Sequence, residues 1–185
     1  MLKYFTMHSI LEITELGNPV LRKRAEEVKN VDDPEIQQLI DDMMHTVKKV
    51  NGVGLAAPQV NRPLRIFVMA SHPNPRYPDA LDTPTQEIIN PQITDRSEEI
   101  ENEWEGCLSI PGIRGLVPRH REIQVRYLNR HGEEKSDTFS NFIARIFQHE
   151  LDHLNGLVFL DRIKNNKNII TEHEYIKFVE SLTRE

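Results

Sequence analysis

The sequence predicts an α+β fold, with mixed or antiparallel β-strands packed around a helix in the C-terminal half and a second helix nearer the N-terminus. Two segments repeat apolar residues at the spacing of an amphipathic helix. Four shorter segments are rich in the β-branched and aromatic residues that are typical of strands. Since 185 residues suffice for one domain with its own core, we expect residues 1–185 to form a single domain.

The first helix is expected between Asp33 and Gly52. Asp33 is a suitable N-cap residue, Pro34 fits the first helical turn, and Asn51 with Gly52 ends the pattern. The side chains at helical spacing are Ile36, Leu39, Ile40, Met43, Met44, Val47 and Val50.

Strands are expected at residues 64–70, 86–90, 123–128 and 135–139. A turn at residues 129–132 joins the last two of them. Residues 71–85 contain four prolines and little periodicity, which indicates an exposed insertion loop.

The second helix, over residues 140–156, carries the most informative pattern. Ser140 is a suitable N-cap residue and Gly156 a suitable stop. At about 100° per residue the helix has three faces. The first face holds Phe142, Ile146, His149, Glu150 and His153. The second holds Ile143, Phe147, Leu151 and Leu154, and the third holds Arg145, Gln148, Asp152 and Asn155. Only the third face suits water, so the histidines and Glu150 should point into the protein.

His149, Glu150 and His153 form the motif H-E-x-x-H. Histidines one helical turn apart can both bind one metal ion, with the glutamate beside its water. The alternative is two core histidines bonded to backbone carbonyls and one paired glutamate.

Two histidines leave a tetrahedral site at least one protein ligand short. The obvious third donor is Cys107, the single cysteine of the chain. The alternative for a lone cysteine is a small buried hydrophobe, and the residue by itself does not decide between the two.

Residues 52–59 combine two glycines with the amide of Gln59. A dinucleotide-binding loop is excluded because a helix, not a strand, precedes the segment. Two interpretations stay open. One is a helix stop and turn. The other is a strand whose glycine admits a substrate backbone and whose Gln59 amide donates to an oxyanion.

Together these segments resemble the peptide deformylases. The family patterns G-x-G-L-A-A-x-Q, E-G-C-L-S and Q-H-E-x-D-H-L-x-G stand in order at residues 52–59, 105–109 and 148–156, and residues 17–22 look like the family's N-terminal segment. The resemblance covers roughly residues 7–163. It leaves out an N-terminal extension (1–6), the proline-rich insertion (71–85) and a C-terminal tail (164–185) with a helix expected at 171–182.

The resemblance implies a single catalytic domain that hydrolyses the N-formyl group from the formylmethionine of nascent polypeptides and releases formate. It implies one divalent metal ion held by Cys107, His149 and His153, with Fe(II) as the native ion and Zn, Ni or Co as substitutes. In that chemistry Glu150 is the general base.

The resemblance also implies the residues that contact substrate. The oxyanion donors would be the Gln59 amide and the backbone N–H of Leu108. The remaining contacts would be Gly54 along the substrate backbone, and Val53, Phe142 and Ile146 around the methionine side chain. Independently of the family, Phe142 and Ile146 fall on the helix face that holds both histidines.

Two other classes are kept as alternatives. A zinc endopeptidase would use His149, His153 and a downstream glutamate, Glu172 or Glu174. A non-catalytic metal-binding module would have a closed site with four protein ligands. Ligation by Cys107 favours the deformylase.

The remaining expectations concern partners and location. With 23 basic and 29 acidic residues the net charge is -6, which argues against a broad nucleic-acid-binding surface and hence against direct sequence-specific binding. The chain has no apolar run long enough to span a membrane and no secretory signal at its start, so we expect it in the cytoplasm. A transient ribosome contact through Arg162, Lys164 and Lys167 stays open, although a solvated linker is the favoured interpretation.

Overall fold

The computed structural model describes residues 9–71, 73 and 82–182. Within these ranges it contains three α-helices, α1 (Pro34–Lys49), α2 (Asn141–Leu154) and α3 (Glu172–Leu182). The strands are β1 (Gly54–Ala56), β2 (Ile66–Met69), β3 (Gln86–Arg96), β4 (Ile100–Cys107), β5 (Ile110–His120), β6 (Glu122–Leu128), β7 (Glu134–Ser140) and β8 (Ile169–Thr171).

The strands form two antiparallel sheets. The larger has the order β1-β2-β3-β6-β7, and the smaller has the order β4-β5-β8. Helix α2 contacts β1, β2 and β7 of the larger sheet and β5 of the smaller one. The expected α+β fold with a central helix is therefore confirmed, and α2 joins the two sheets.

Helix α1 begins and ends where the sequence predicts. The Asp33 side chain accepts a hydrogen bond from the backbone N–H of Glu35, which caps the first turn. The helix buries its apolar face, including Leu39 and Met43, in a cluster with Val68 of β2. Burial of that face holds α1 against the larger sheet.

The four expected strands are confirmed as β2, β3, β6 and β7, although β3 runs six residues further than predicted. Strands β4 and β5 were not predicted. Most residues of β4 are at least partly exposed and three of its eight residues are acidic, while β5 contains Pro111 and Pro118. Neither strand therefore shows a clean alternation of apolar and polar residues. Their hydrogen-bonded pairing, rather than side-chain pattern, defines them.

The expectation that the third face of α2 meets water is wrong for Arg145, Gln148 and Asp152, which are all buried. This face packs on the smaller sheet. The Gln148 amide donates to the backbone oxygen of His120 at 2.8 Å, and its oxygen accepts from the backbone N–H of the same residue at 3.1 Å. The sequence does not predict β5, which supplies the hydrogen-bond partners of these side chains, so their burial could not be predicted either. Ser140 is the N-cap residue, but its side chain makes no capping bond.

The C-terminal tail is part of the smaller sheet. Strand β8 pairs with the edge of β5, with Ile113 opposite Thr171 and Gly115 opposite Ile169. The helix expected at 171–182 is confirmed as α3, which begins directly after β8 and contacts β5. This pairing returns the tail to the strand that follows Cys107.

The expected N-terminal extension, residues 1–6, lies outside the described residues, as do residues 72 and 74–81 of the insertion. At the base of the insertion the backbone N–H of Thr83 donates to the backbone oxygen of Ser71 at 2.7 Å. None of the helices in the described ranges has the length and apolar character needed to cross a bilayer.

Candidate metal centre and substrate cleft

Two elements bring three metal-binding side chains together. Cys107 ends β4, and His149 and His153 lie one turn apart on α2. Their ligand atoms all lie within 4.8 Å of one another, and Cys107 Sγ is 3.3 Å from His153 Nε2. Two ligands of one tetrahedral ion lie roughly 3.6 Å apart, given metal bonds of about 2.0 to 2.3 Å. The donor set therefore fits a single divalent transition-metal ion.

The carboxylate of Glu105 orients His149. His149 Nδ1 donates to Glu105 Oε2 at 2.9 Å, which leaves His149 Nε2 as the nitrogen that can bind metal. Glu105 is 3% exposed and accepts two bonds from Arg119, at 2.9 and 3.0 Å, and one from Arg145 at 2.8 Å. Two guanidinium groups and one imidazole thus surround this carboxylate.

The surroundings of Glu105 keep it ionised. Burial alone would raise the pKa of its carboxyl, but Arg119 and the hydrogen bond from His149 hold that pKa well below its ordinary value. The imidazole of His149 therefore always faces a negative charge, which strengthens it as a metal ligand.

A second buried carboxylate extends this network. Asp152 accepts from Arg119 at 2.5 Å and from Arg162 Nε at 3.0 Å. Arg162 is exposed, as expected of a solvated linker, but its guanidinium also pairs with this buried acid. Sequence reasoning assigned no role to Glu105, Arg119 or Asp152, although Glu105 and Asp152 lie inside the motifs that carry the ligands.

Glu150 is buried beside the metal-binding residues. Its Oε2 has no hydrogen-bond partner among the described residues. Burial raises the pKa of Glu150 to about 7, and a bound cation nearby would lower it. A buried carboxylate oxygen without a protein partner is suited to bind water or a cation.

Gly54 of β1 packs directly against Glu150. A Cβ atom at position 54 would lie 2.3 Å from Glu150 Oε1, so any side chain there would displace the carboxylate. The expected contact of Gly54 with the substrate backbone stays a prediction. The contact with Glu150 gives a second reason for glycine, which the sequence alone did not reveal.

The amide of Gln59 has a defined orientation. Gln59 lies in a 3-10 helix directly after β1, so the segment does contain a strand, while donation from the Gln59 amide to an oxyanion stays a prediction. The backbone N–H of Ala56 donates to Gln59 Oε1 at 2.8 Å. Gln59 Nε2 is therefore directed at Cys107 Sγ, 3.4 Å away, and Ser109 Oγ, 3.2 Å away.

A cleft with a volume of about 160 Å³ lies beside Cys107 and His149. It is lined by all six residues expected to contact substrate or the oxyanion, namely Val53, Gly54, Gln59, Leu108, Phe142 and Ile146. Leu108 lies in the tight turn between β4 and β5, immediately after Cys107. Arg114 and Glu172 also line the cleft, and no substrate role was predicted for either.

The two glutamates proposed for an endopeptidase site have other partners. Glu172 accepts from Arg114 at 2.9 Å, and Glu174 accepts from Lys177 at 2.7 Å. Among the described residues, the cluster of Cys107 and the two histidines contains neither glutamate. The geometry therefore favours the cysteine as third donor.

Comparison with known proteins identifies close relatives. The family model described as polypeptide deformylase matches residues 10–168. Peptide deformylase 2 of Nostoc sp. is 54% identical over 175 residues, which cover 95% of this chain and 98% of the relative. The peptide deformylase of Pseudothermotoga lettingae is 41% identical over 170 residues, 92% of each chain.

Solved structures agree with the sequence relatives. The class I type b peptide deformylase from Acinetobacter baumannii, with Met-Ala-Ser bound, has a TM-score of 0.83 at 42% identity, covering 85% of this chain and 100% of that one. The Synechococcus elongatus peptide deformylase in complex with actinonin has a TM-score of 0.77 at 34% identity, covering 91% and 87%.

We predict that Glu105→Gln lowers the free energy of unfolding of the metal-free protein by about 3–5 kcal/mol, because it removes the charge that compensates two buried guanidinium groups. Urea unfolding measures the loss. Glu103→Gln is the matched control: Glu103 also pairs with Arg145, at 3.2 Å, but its side chain is 54% exposed, so the loss should stay below about 1 kcal/mol. Equal losses in the two variants would contradict the central position given to Glu105.

Proposed function

Because the chain belongs to the polypeptide deformylase family, the enzymes that remove the N-formyl group from nascent polypeptides, we propose that the cleft beside Cys107, His149 and His153 is its active site. One observation carries this proposal. A buried oxygen of Glu150, which has no hydrogen-bond partner in the part of the chain that the structure describes, lies beside a cluster of three metal donors at a cleft with apolar lining residues.

Cys107, His149 and His153 would hold one divalent metal ion, which when bound supplies Lewis-acid activation of water. The family is metal-dependent, and we propose Fe(II) as the native ion, with Zn, Ni or Co as substitutes. Metal analysis of protein purified without oxygen tests the choice of iron.

Glu150 acts as the general base in this proposal. Its Oε2 takes a proton from water as the water oxygen attacks the formyl carbon. The same oxygen then gives the proton to the amine nitrogen as the C–N bond breaks, so that formate and a free N-terminus result. Gly54 leaves the space that the carboxylate occupies, since a Cβ atom there would lie 2.3 Å from Oε1.

Gln59 and Leu108 stabilise the oxyanion that forms during attack. The bond from Ala56 N–H to Gln59 Oε1 supports this role, because it leaves the amide N–H groups as the side of Gln59 that faces the site. Leu108 supplies its backbone N–H from the turn after Cys107. A preorganised donor of this kind is typically worth about 3 kcal/mol.

The methionine side chain binds against Val53, Phe142 and Ile146, and Gly54 runs beside the substrate backbone. These residues line the cleft, and two of them, Phe142 and Ile146, lie on the helix that carries the histidines. The Acinetobacter baumannii enzyme holds Met-Ala-Ser, a peptide that begins with methionine, which supports this assignment.

The proposed substrate also determines where we expect the enzyme to act. We place the enzyme in the cytoplasm, acting on N-formylmethionyl nascent peptides as a single catalytic domain of residues 1–185. Contact with the ribosome is transient in this proposal, and the net charge of -6 disfavours direct sequence-specific binding to nucleic acid.

We predict that Glu150→Gln keeps its metal and abolishes turnover. The amide preserves the shape of the side chain but cannot accept the proton from water. Deformylation of formyl-Met peptides, with unformylated peptides as the control substrate, is measured together with metal content. Loss of the metal would instead make Glu150 a ligand.

We predict that Gln59→Leu lowers kcat roughly a hundredfold with little change in metal content, because it removes a donor to the oxyanion. Since Gln59 also accepts from Ala56, thermal unfolding of the variant is recorded with the kinetics. An unchanged kcat would assign Gln59 a purely structural role.

We predict that Ile146→Phe raises KM for formyl-Met substrates by about tenfold, because the larger ring fills part of the methionine site. Ile143→Phe is the control on the same helix, because Ile143 and Ile146 both line a second cavity beside Phe139 but only Ile146 also lines the cleft. If KM stays unchanged in the Ile146 variant, the methionine site lies elsewhere.

A further inference from the structure

The first residue of α3, Glu172, lies at the cleft although it follows His153 by nineteen positions. The β5–β8 pairing brings it there, because Thr171 lies opposite Ile113 and Ile170 lies opposite Arg114. The helix begins at the next residue, Glu172. The tail thus contributes a side chain to the wall of the cleft that β5 forms.

Arg114 fixes the position of Glu172. Its Nη2 donates to Glu172 Oε1 at 2.9 Å, and its guanidinium carbon lies 5.0 Å from the centre of the Tyr175 ring. A Cβ atom on Gly106 would lie 2.8 Å from that carbon, so the glycine before Cys107 leaves room for the guanidinium. The ion pair is therefore built into the junction of β4, β5 and α3.

The two members of this ion pair differ in exposure. The side chain of Arg114 is 3% exposed, whereas that of Glu172 is 33% exposed. The other carboxylates and guanidinium groups that line the cleft, those of Glu105, Arg145 and Glu150, are buried. Of the carboxylates and guanidinium groups among the described residues that line the cleft, the carboxylate of Glu172 is the most exposed to solvent. It is therefore the charged group that a bound peptide can contact.

We propose that Glu172 is a specificity-determining residue that favours a cationic side chain, and disfavours an acidic one, at the second or third position of the substrate. This inference rests on the proposed use of the cleft for peptide binding. The methionine would lie against α2, so the residues that follow it extend along the wall formed by β5 and α3. An accessible carboxylate in that wall attracts Lys or Arg and repels Asp or Glu.

The test compares kcat/KM for C-terminally amidated formyl-Met peptides that carry Lys or Glu at position two or three. At low salt the unmodified enzyme should favour Lys over Glu by roughly threefold to fivefold at one of these positions, the range expected for a partly exposed charge pair. Glu172→Gln should bring that ratio to one or below, because it also removes the negative charge beside the Arg114 guanidinium. High salt should reduce the ratio in the unmodified enzyme.

One control variant separates the charge of Glu172 from general effects on helix α3. Glu174→Gln removes an exposed acid from the same helix, one that pairs with Lys177, and should leave the ratio unchanged. The proposal is overturned if the ratio survives in Glu172→Gln, or if Glu174→Gln removes it equally.

Failure of this inference is distinguishable from failure of the proposed function. If Ile146→Phe raises KM but Glu172→Gln does not change the ratio of kcat/KM between Lys and Glu peptides, the cleft binds substrate and only the role of Glu172 is wrong. If neither variant changes the kinetics, peptide binding occurs outside this cleft. A ratio near one in the unmodified enzyme at low salt also overturns the role of Glu172, even where the variant is too unstable to assay.

Discussion

The buried carboxylate of Glu105 is the interaction on which the rest of the site depends. It lies two residues before Cys107 on β4 and bonds to His149 and Arg145 of α2 and to Arg119 of β5. A buried charge is tolerated only when it is surrounded by partners, and here the partners come from two elements other than its own strand, α2 and β5. The distance between the cysteine and the histidines is therefore set by the same contacts that satisfy this charge.

Each face of helix α2 contacts a different part of the protein. Phe147 packs edge-on against Phe67 of the larger sheet, with ring centroids 5.1 Å apart. Arg145 and Asp152 bond to the smaller sheet or its arginines, and Glu150 faces the cleft. Because all three faces are occupied, the helix cannot rotate without breaking either the core or the ion network. Such a rigid support suits ligands that must keep fixed positions.

The C-terminal tail, residues 164–185, contributes a strand to the smaller sheet and a side chain to the cleft. Strand β8 joins β5, and α3 lies over β4 and β5, where Tyr175 contacts both Trp104 and Arg114. Glu172 then completes a wall of the cleft. A segment that the family motifs do not include is thereby placed at the cleft that Cys107 and His149 also line.

The sequence by itself determined α1, α2, α3, four strands and the candidate donors Cys107, His149 and His153, because helical periodicity and motif spacing are local properties of the chain. Only the tertiary structure decided the surroundings of those donors. Arg145 and Asp152 were expected in water because β5, which covers them, has prolines and no regular pattern. Likewise, Glu172 reaches the cleft through strand pairing between distant segments. Such contacts depend on which surfaces meet, and no spacing along the chain encodes them.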